Sequence, residues 1–216
     1  MAQEGRYETI ASARRALDLK DFQTVVDLMT PLANAGDAEA QYILGYLYLT
    51  EFEEMPAEDS FNWFVKAAKQ DHPEACYHLF TFPESIGFVS PLDDAERVAL
   101  LIKAGELGSV GAQYHLGAYY ATGDWPGPKD ETEAIKWYTK AAEQGDAEAQ
   151  YNLGFMLLEG EGGRQNSHEG IAWLDKAVDR GHDQARRLLA DIYARGLYGV
   201  TKDPVVRSEG RDEASE

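Results

Sequence analysis

Apolar and small residues recur along this chain with a period of 35 to 37 residues, and this repetition predicts its architecture. A large apolar residue stands eight positions before each of five turn residues, and an alanine stands four positions after each one. Such self-similarity at a fixed spacing is the sequence signature of a repeat protein. The five turn residues are Gly36, Asp71, Gly108, Gly145 and Gly181.

Each period predicts two antiparallel helices, which we name helix A and helix B. In helix A, residues such as Ala112, Leu116 and Gly117 fall on one helical stripe. Helix B begins at a capping residue such as Asp130 and ends at a glycine such as Gly145, which suits the left-handed conformation after a helix. One such pair cannot bury its apolar faces alone, so the pairs must stack. The sequence therefore predicts the all-α class, as a right-handed α-α superhelix (solenoid) of about five helix pairs plus one terminal helix, giving eleven helices and no strand.

The segments 112–123 and 130–145 together closely resemble the Sel-1-like repeat, a relative of the tetratricopeptide repeat. The matching positions include the run that begins at Ala112 and the later Trp137, Ala141 and Gly145. The resemblance covers residues 7–203, and it implies a single repeat domain over residues 1–203. Because no second helix has material to form after Asp203, residues 204–216 are expected to be a disordered acidic tail.

The third repeat departs from the family pattern. Phe80 replaces the small glycine of helix A, and Pro83 is expected to end that helix early because proline removes a helical hydrogen bond. The residues that follow, 84–91, are then predicted to form an apolar loop.

The resemblance implies a concave face, lined mainly by the A helices, that holds another protein or a peptide. If the geometry of the tetratricopeptide repeat transfers, one residue of each helix A faces that groove, and two further aromatic residues lie one turn on. Tyrosines are enriched at binding hot spots, but aromatic residues at helical spacing also pack between repeats, and partial exposure allows both roles. The predicted binding residues are Tyr42, Tyr46, Tyr77, Tyr114, Tyr151, Phe155 and Arg187.

Two loops supply a second, less favoured surface. Phe88 lies in the segment 86–89 and Trp125 lies in the turn-rich segment 122–128. An exposed aromatic residue in a loop indicates an interaction patch. The alternative is that both side chains cover the neighbouring repeat.

The formal net charge of −18 narrows the classes of partner that are expected. It argues against binding nucleic acid or an anionic membrane surface, because both depend on lysine and arginine. It favours a basic protein or peptide. No apolar stretch is long enough to insert into a membrane and no secretory signal is evident, so the cytoplasm is the predicted compartment, or the periplasm if a signal peptide has been removed.

No catalytic, cofactor or metal motif stands out, and we predict that the protein is not an enzyme and has no cofactor or metal. His78 and His115 share a repeat position and are too far apart to bind one metal ion without a third ligand. His72 and His182 are predicted to start helices. Cys76 is the only cysteine, and it falls in the packing stripe of a helix A, where a small core residue is expected.

Two functions remain open from the sequence. The first is a protein-interaction scaffold or adaptor that binds a basic protein or peptide in its concave face, as a monomer or weak oligomer. The alternative is an immunity or antitoxin-type protein that neutralises a cognate bacterial effector, a role for which some bacterial proteins with similar repeats are encoded.

Overall fold

The computed structural model describes residues 2–51, 56–86, 90–124, 127–163 and 165–202. These residues form eleven α-helices and one short 3₁₀ segment, and the described ranges contain no strand. The helices follow one another as five antiparallel pairs and a terminal helix. The predicted all-α repeat fold is therefore confirmed. The predicted tail, residues 204–216, lies outside the described residues.

The chain divides into two compact units, Met1–Ser109 and Val110–Glu216. Within each unit every helix packs on its neighbours in the sequence. The N-terminal unit contains α1 (Ala2–Asp18), α2 (Phe22–Asn34), α3 (Ala38–Thr50), α4 (Ala57–Ala68), α5 (Pro73–Ile86) and α6 (Asp94–Glu106). The C-terminal unit contains α7 (Val110–Thr122), α8 (Glu131–Glu143), α9 (Ala147–Glu159), α10 (Ser167–Asp179), α11 (Asp183–Arg195) and the 3₁₀ segment Leu197–Gly199. The single domain over residues 1–203 stays a prediction.

The helix boundaries are fixed by local chemistry. The carboxylate of Asp130 accepts hydrogen bonds from the first backbone N–H groups of α8, as the capping prediction requires. Gly145 after α8 has φ +93°, a conformation that glycine adopts at little cost. At the equivalent turn Asp71 has φ +60°, and its carboxylate lies 2.6 Å from Lys103 Nζ. Aspartate is one of the few non-glycine residues that adopt the left-handed region readily.

Helix A approaches helix B closely at a repeated glycine. A Cβ built on Gly154 would lie 2.9 Å from the carbonyl oxygen of Gly170, and a Cβ built on Gly170 would lie 2.8 Å from that of Gly154. At the same repeat position, a Cβ on Gly117 would lie 2.5 Å from the ring of Tyr138. Real Cβ atoms do not make contacts this short, so only glycine permits this packing.

The third repeat accommodates Phe80 at this position through Arg97. The Arg97 Nη2 donates a hydrogen bond of 2.9 Å to the carbonyl oxygen of Phe80, and the guanidinium lies 5.5 Å from the centre of the Phe80 ring. The prediction that Pro83 ends this helix early is wrong, because α5 continues to Ile86. The burial of Phe80 and Phe82 stabilises these turns against the loss of one backbone hydrogen bond.

Buried glutamines connect helix A to the end of helix B in the same repeat and in the preceding one. Gln41 Nε2 donates to the carbonyl oxygen of Ala33 at 3.0 Å, and Gln41 Oε1 accepts from Gln70 Nε2 at 2.9 Å. The same amide pair joins Gln113 and Gln144 at 2.8 Å. We call each of these amide pairs a glutamine rung.

The third glutamine rung is incomplete. Gln150 is only 3% exposed, and its Nε2 donates to the carbonyl oxygen of Ala142 at 3.0 Å. Its buried Oε1 has no hydrogen-bond partner among the residues that the structure describes. Arg180 stands where Gln70 and Gln144 stand in the other rungs, and its guanidinium lies over Gly145. This repeat therefore has a buried acceptor that is satisfied in the other two.

A tryptophan on helix B packs between repeats and carries a lysine over its ring. Trp137 is 9% exposed, and Lys140 Nζ lies 3.9 Å from the ring centre. The cation–π contact between these residues recurs in two other repeats, with distances of 3.8 and 3.6 Å. The three pairs are Trp63 with Lys66, Trp137 with Lys140, and Trp173 with Lys176.

We expect Trp137→Ala to lower the free energy of unfolding by ~3–5 kcal/mol, because it removes a buried aromatic side chain and leaves a cavity. Urea denaturation measures the loss. Trp173→Ala is the matched control, since Trp173 is only partly buried and should lose less. A loss below ~1 kcal/mol for Trp137→Ala would show that this position does not stabilise the packing between repeats.

We expect Arg180→Gln to complete the third glutamine rung and to raise the free energy of unfolding by ~0.5–1.5 kcal/mol, the typical net value of a hydrogen bond. Arg186→Gln is the control, because Arg186 is exposed and its guanidinium pairs with Asp183 on the surface of α11. Its effect should stay within about 0.5 kcal/mol. An unchanged or lower stability of Arg180→Gln would contradict the role assigned to the rung.

Candidate functional site

In the N-terminal unit, α3 and α5 carry three of the predicted binding residues. Tyr42 and Tyr77 are half-buried, whereas Tyr46 is 42% exposed. Tyr42 and Tyr46 are four residues apart on α3, so both lie on one side of that helix. Their ring centres are 6.2 Å apart.

In the C-terminal unit, α7, α9 and α11 carry the other four. Tyr114 and Tyr151 are half-buried, Phe155 is 39% exposed and Arg187 is exposed. In both units the tyrosines thus pack in part, while the aromatic residue one turn further on faces solvent. The loop candidates Phe88 and Trp125 lie outside the described residues.

Tyr42 stacks on a histidine from the next repeat. The ring centres of Tyr42 and His72 are 4.6 Å apart, and the planes differ by 22°. His72 Nδ1 accepts a hydrogen bond of 3.3 Å from the backbone N–H of Ala75, at the start of α5. Because this nitrogen is an acceptor, Nε2 carries the proton of the neutral ring and faces Glu39 Oε2 at 3.2 Å.

The carboxylates near Tyr42 affect its hydroxyl. Burial, with smaller contributions from the nearby Glu74, Tyr46 and Glu39, raises the pKa of Tyr42 to about 12. A hydrogen bond from His72 lowers the pKa of Glu39. Glu39 is therefore ionised at neutral pH and places negative charge beside an aromatic surface.

The C-terminal unit repeats this arrangement. The ring centres of Tyr151 and His182 are 4.7 Å apart, with planes at 18°. His182 Nδ1 accepts a hydrogen bond of 3.1 Å from the backbone N–H of Ala185. His182 Nε2 lies 3.2 Å from Glu148 Oε1, although the angle does not make it a hydrogen bond.

The tyrosine position of α7 has different surroundings. The Tyr114 ring lies 6.0 Å from that of Tyr138, and burial, together with Glu148 and Asp146, raises the pKa of Tyr114. Here Asp146, and not a histidine, caps the next helix A. The tyrosines are thus equivalent in sequence, and Tyr42 and Tyr151 each stack on the capping histidine of the following repeat.

The predicted role of His72 and His182 as helix starts is confirmed by their capping bonds. Their stacking on tyrosine was not predicted. The residue type at the cap position was the feature of the sequence that could have indicated this stacking. Aspartate, asparagine, serine and threonine are the preferred N-cap residues, whereas histidine is not. A residue that caps less well at a fixed repeat position indicates a second role.

His78 is half-buried, and its ring centre lies 5.8 Å from that of Tyr42 and 5.7 Å from that of Tyr46. Its ring stacks on Phe64 with ring centres 5.1 Å apart and planes at 7°. Burial, with a smaller effect of His72, lowers the pKa of His78 to about 4. At neutral pH the ring is therefore uncharged.

Cys76 is fully buried, and burial raises the pKa of its thiol. A protonated, inaccessible thiol is a poor nucleophile. Within the described ranges, no three histidine, cysteine or carboxylate side chains are placed to hold a metal ion. None of the helices in those ranges combines the length and apolar character needed to cross a membrane.

Stacked antiparallel helix pairs, with glycine at the crossing in the second, fourth and fifth repeats, define an α-helical repeat protein of the solenoid class. The Sel1 repeat model matches residues 38–72, 110–146, 147–182 and 183–205, more than half of the chain. The chain therefore belongs to the Sel1 repeat family. The third repeat, where Phe80 and Arg97 replace the usual helix crossing, falls outside the matched residues.

Two solved structures share this fold. A protective antigen from uropathogenic Escherichia coli strains is 31% identical with a TM-score of 0.74, over 87% of this chain and 40% of its own. A Sel1 repeat protein from Oxalobacter formigenes is 32% identical with a TM-score of 0.71, over 78% of this chain and 49% of its own. This chain thus spans less than half the length of either protein.

An immunity protein from Pseudomonas aeruginosa has the same fold at lower identity. It is 21% identical with a TM-score of 0.60, over 94% of this chain and 78% of its own. At this identity the likeness concerns the fold alone. A comparison with curated proteins gives no match.

We expect the stability of this protein to fall as the pH drops from 6.5 towards 4, in part because of His78. Between these values the unfolded histidine binds a proton and the folded one does not, so the unfolded state is favoured. The variant His78→Asn copies Asn152 at the equivalent position. It should lose up to about 2 kcal/mol less of its free energy of unfolding between pH 7 and pH 5 than the wild type does. Urea denaturation at both pH values measures this difference, and an equal loss in variant and wild type would contradict a neutral His78 in the folded protein.

Proposed function

We propose that this chain is a protein-interaction scaffold that binds a basic protein or peptide on its A-helix face, the face that the family resemblance implies is concave. One observation carries the proposal: half-buried tyrosines on the A helices adjoin exposed aromatic rings and carboxylates. Tyr46 and Phe155 supply the exposed rings, and Glu39, Glu74 and Glu148 supply the negative charge. Aromatic centres within charged surroundings are typical of binding hot spots.

The charge of the whole chain supports a basic partner. A formal net charge of −18 attracts a positively charged molecule and accelerates encounter. Exposed ion pairs contribute little affinity by themselves. The tyrosines would therefore supply most of the binding energy and the carboxylates most of the steering.

A binding role suits these residues better than a catalytic one. The A-helix face offers rings and carboxylates, and the buried thiol of Cys76 is not accessible to a substrate. The cytoplasmic location and the monomeric or weakly oligomeric state stay predictions from the sequence.

The second candidate function is an immunity-type protein that neutralises one basic effector. It is favoured by the shared fold with the Pseudomonas aeruginosa immunity protein over 94% of this chain. The acidic surface would suit the capping of a basic effector. One tight partner would support this function, and several weaker partners would support the scaffold.

We expect the association rate with the partner to fall steeply between low and physiological salt, while the dissociation rate changes less, because salt screens long-range attraction. Tyr114→Ala and Tyr151→Ala should each weaken binding by more than ~1 kcal/mol through faster dissociation. A pull-down from a lysate followed by binding kinetics at two salt concentrations tests both. An acidic partner, a salt-independent association rate or silent tyrosine variants would contradict the proposal and favour the loops with Phe88 and Trp125.

A further inference from the structure

Three features occur together in two repeats, one in each unit. A histidine from the following repeat stacks on the tyrosine of helix A. A glutamate three residues before that tyrosine lies 3.2 Å from the histidine Nε2. An exposed aromatic residue stands one helical turn after the tyrosine. The first set, which we name the first anchor, is Glu39, Tyr42, Tyr46 and His72. The second anchor is Glu148, Tyr151, Phe155 and His182.

The other tyrosine repeats lack this combination. Thr81 and Ala118 stand where the anchors have Tyr46 and Phe155. Ser109 and Asp146 stand where the anchors have a histidine. The exposed ring and the stacked histidine are therefore present together or absent together, which indicates that they serve one purpose.

The histidine does more than start a helix. Aspartate caps α3 and α9 at the same repeat position, so the cap itself does not need an imidazole. The ring adds a flat surface against the tyrosine and a second nitrogen beside the glutamate. The histidine thereby packs on the tyrosine in both anchors and hydrogen-bonds the glutamate in the first. The glutamate side chains stay 37% and 60% exposed, within reach of a partner.

We propose that each anchor binds one arginine side chain of the partner. This inference rests on the proposed function and names the chemistry recognised at that face. The glutamate, the tyrosine and the exposed ring stand at i, i+3 and i+7, so they share one helix face over about two turns, ~10 Å. An arginine laid along that face packs its methylene stem on the exposed ring and pairs its guanidinium with the glutamate.

Arginine suits this surface better than lysine. Its guanidinium is planar, stacks on aromatic rings and binds a carboxylate through two parallel N–H groups. Lysine carries a compact, strongly hydrated charge that gains less from a flat ring. Glu74, whose charge also acts on the Tyr42 hydroxyl, adds negative charge at the first anchor.

Nuclear magnetic resonance of the full chain tests each anchor separately, because His72 and His182 each contain a ring proton that reports on its own site. The probe is a capped peptide of repeated Arg-Gly-Ser triplets, compared with peptides that carry lysine or uncharged citrulline in place of arginine. We expect the arginine peptide to shift both histidine signals and the citrulline peptide to bind at least ~10-fold more weakly, since it loses the charge.

Tyr46→Ala should weaken binding at the His72 signal by about fivefold and leave the His182 signal unchanged, and Phe155→Ala should do the reverse. Thr81→Ala, at the equivalent position of the third repeat, is the matched control and should change neither. His72→Asn keeps a favoured capping residue, so the melting temperature should hold while binding followed at the Tyr46 ring weakens.

Equal binding of the arginine and citrulline peptides, no shift at either histidine, or unchanged affinity in Tyr46→Ala and Phe155→Ala would overturn the arginine assignment. None of these results decides the proposed function, which depends on whether a captured partner is basic and binds with salt-dependent kinetics. Capture of an acidic partner would overturn that function even if the arginine peptide binds.

Discussion

The close contact between helix A and helix B at glycine is the constraint on which the rest of each unit depends. Where Gly154 meets Gly170, the backbones are so near that no side chain fits between them. This contact fixes the rotation of helix A about its axis. The residue after the glycine is turned by about 100° around the helix, away from the crossing. Tyr46 and Phe155 occupy that position, which explains why two large aromatic residues are exposed in a well-packed protein.

The third repeat shows how this constraint is met when glycine is absent. Phe80 is too large for the usual crossing, and Arg97 binds its carbonyl oxygen and covers its ring. In the second repeat, the buried Ser60 hydroxyl donates to the carbonyl oxygen of Gly45 at 2.6 Å in the corresponding place. A polar group from helix B therefore satisfies the same backbone position in both repeats. The fold tolerates a change in side-chain size because a hydrogen bond between the helices is retained.

Binding depends on the surface positions of the repeats and not on their packing positions. A repeat protein repeats its packing positions and varies its surface positions, so binding chemistry is expected where the pattern is broken without a packing reason. The histidine caps are such a break, since aspartate performs the capping elsewhere. Both histidines stack on a tyrosine of helix A and lie 3.2 Å from a glutamate. The proposed recognition chemistry therefore lies on the A helices and not in the helix crossings.

The sequence by itself determined the number of helices, their pairing and most capping residues, because these depend on apolar periodicity and on side chains within one turn of each boundary. Only the tertiary structure decided which tyrosines are exposed, that His72 stacks on Tyr42, and that Gln150 lacks the partner that Gln41 has. It also decided that α5 continues past Pro83, where burial of Phe82 outweighs a local preference. The glutamine and histidine contacts join residues about thirty positions apart. Their geometry follows from the packing of helices on one another, which periodicity along the chain does not encode.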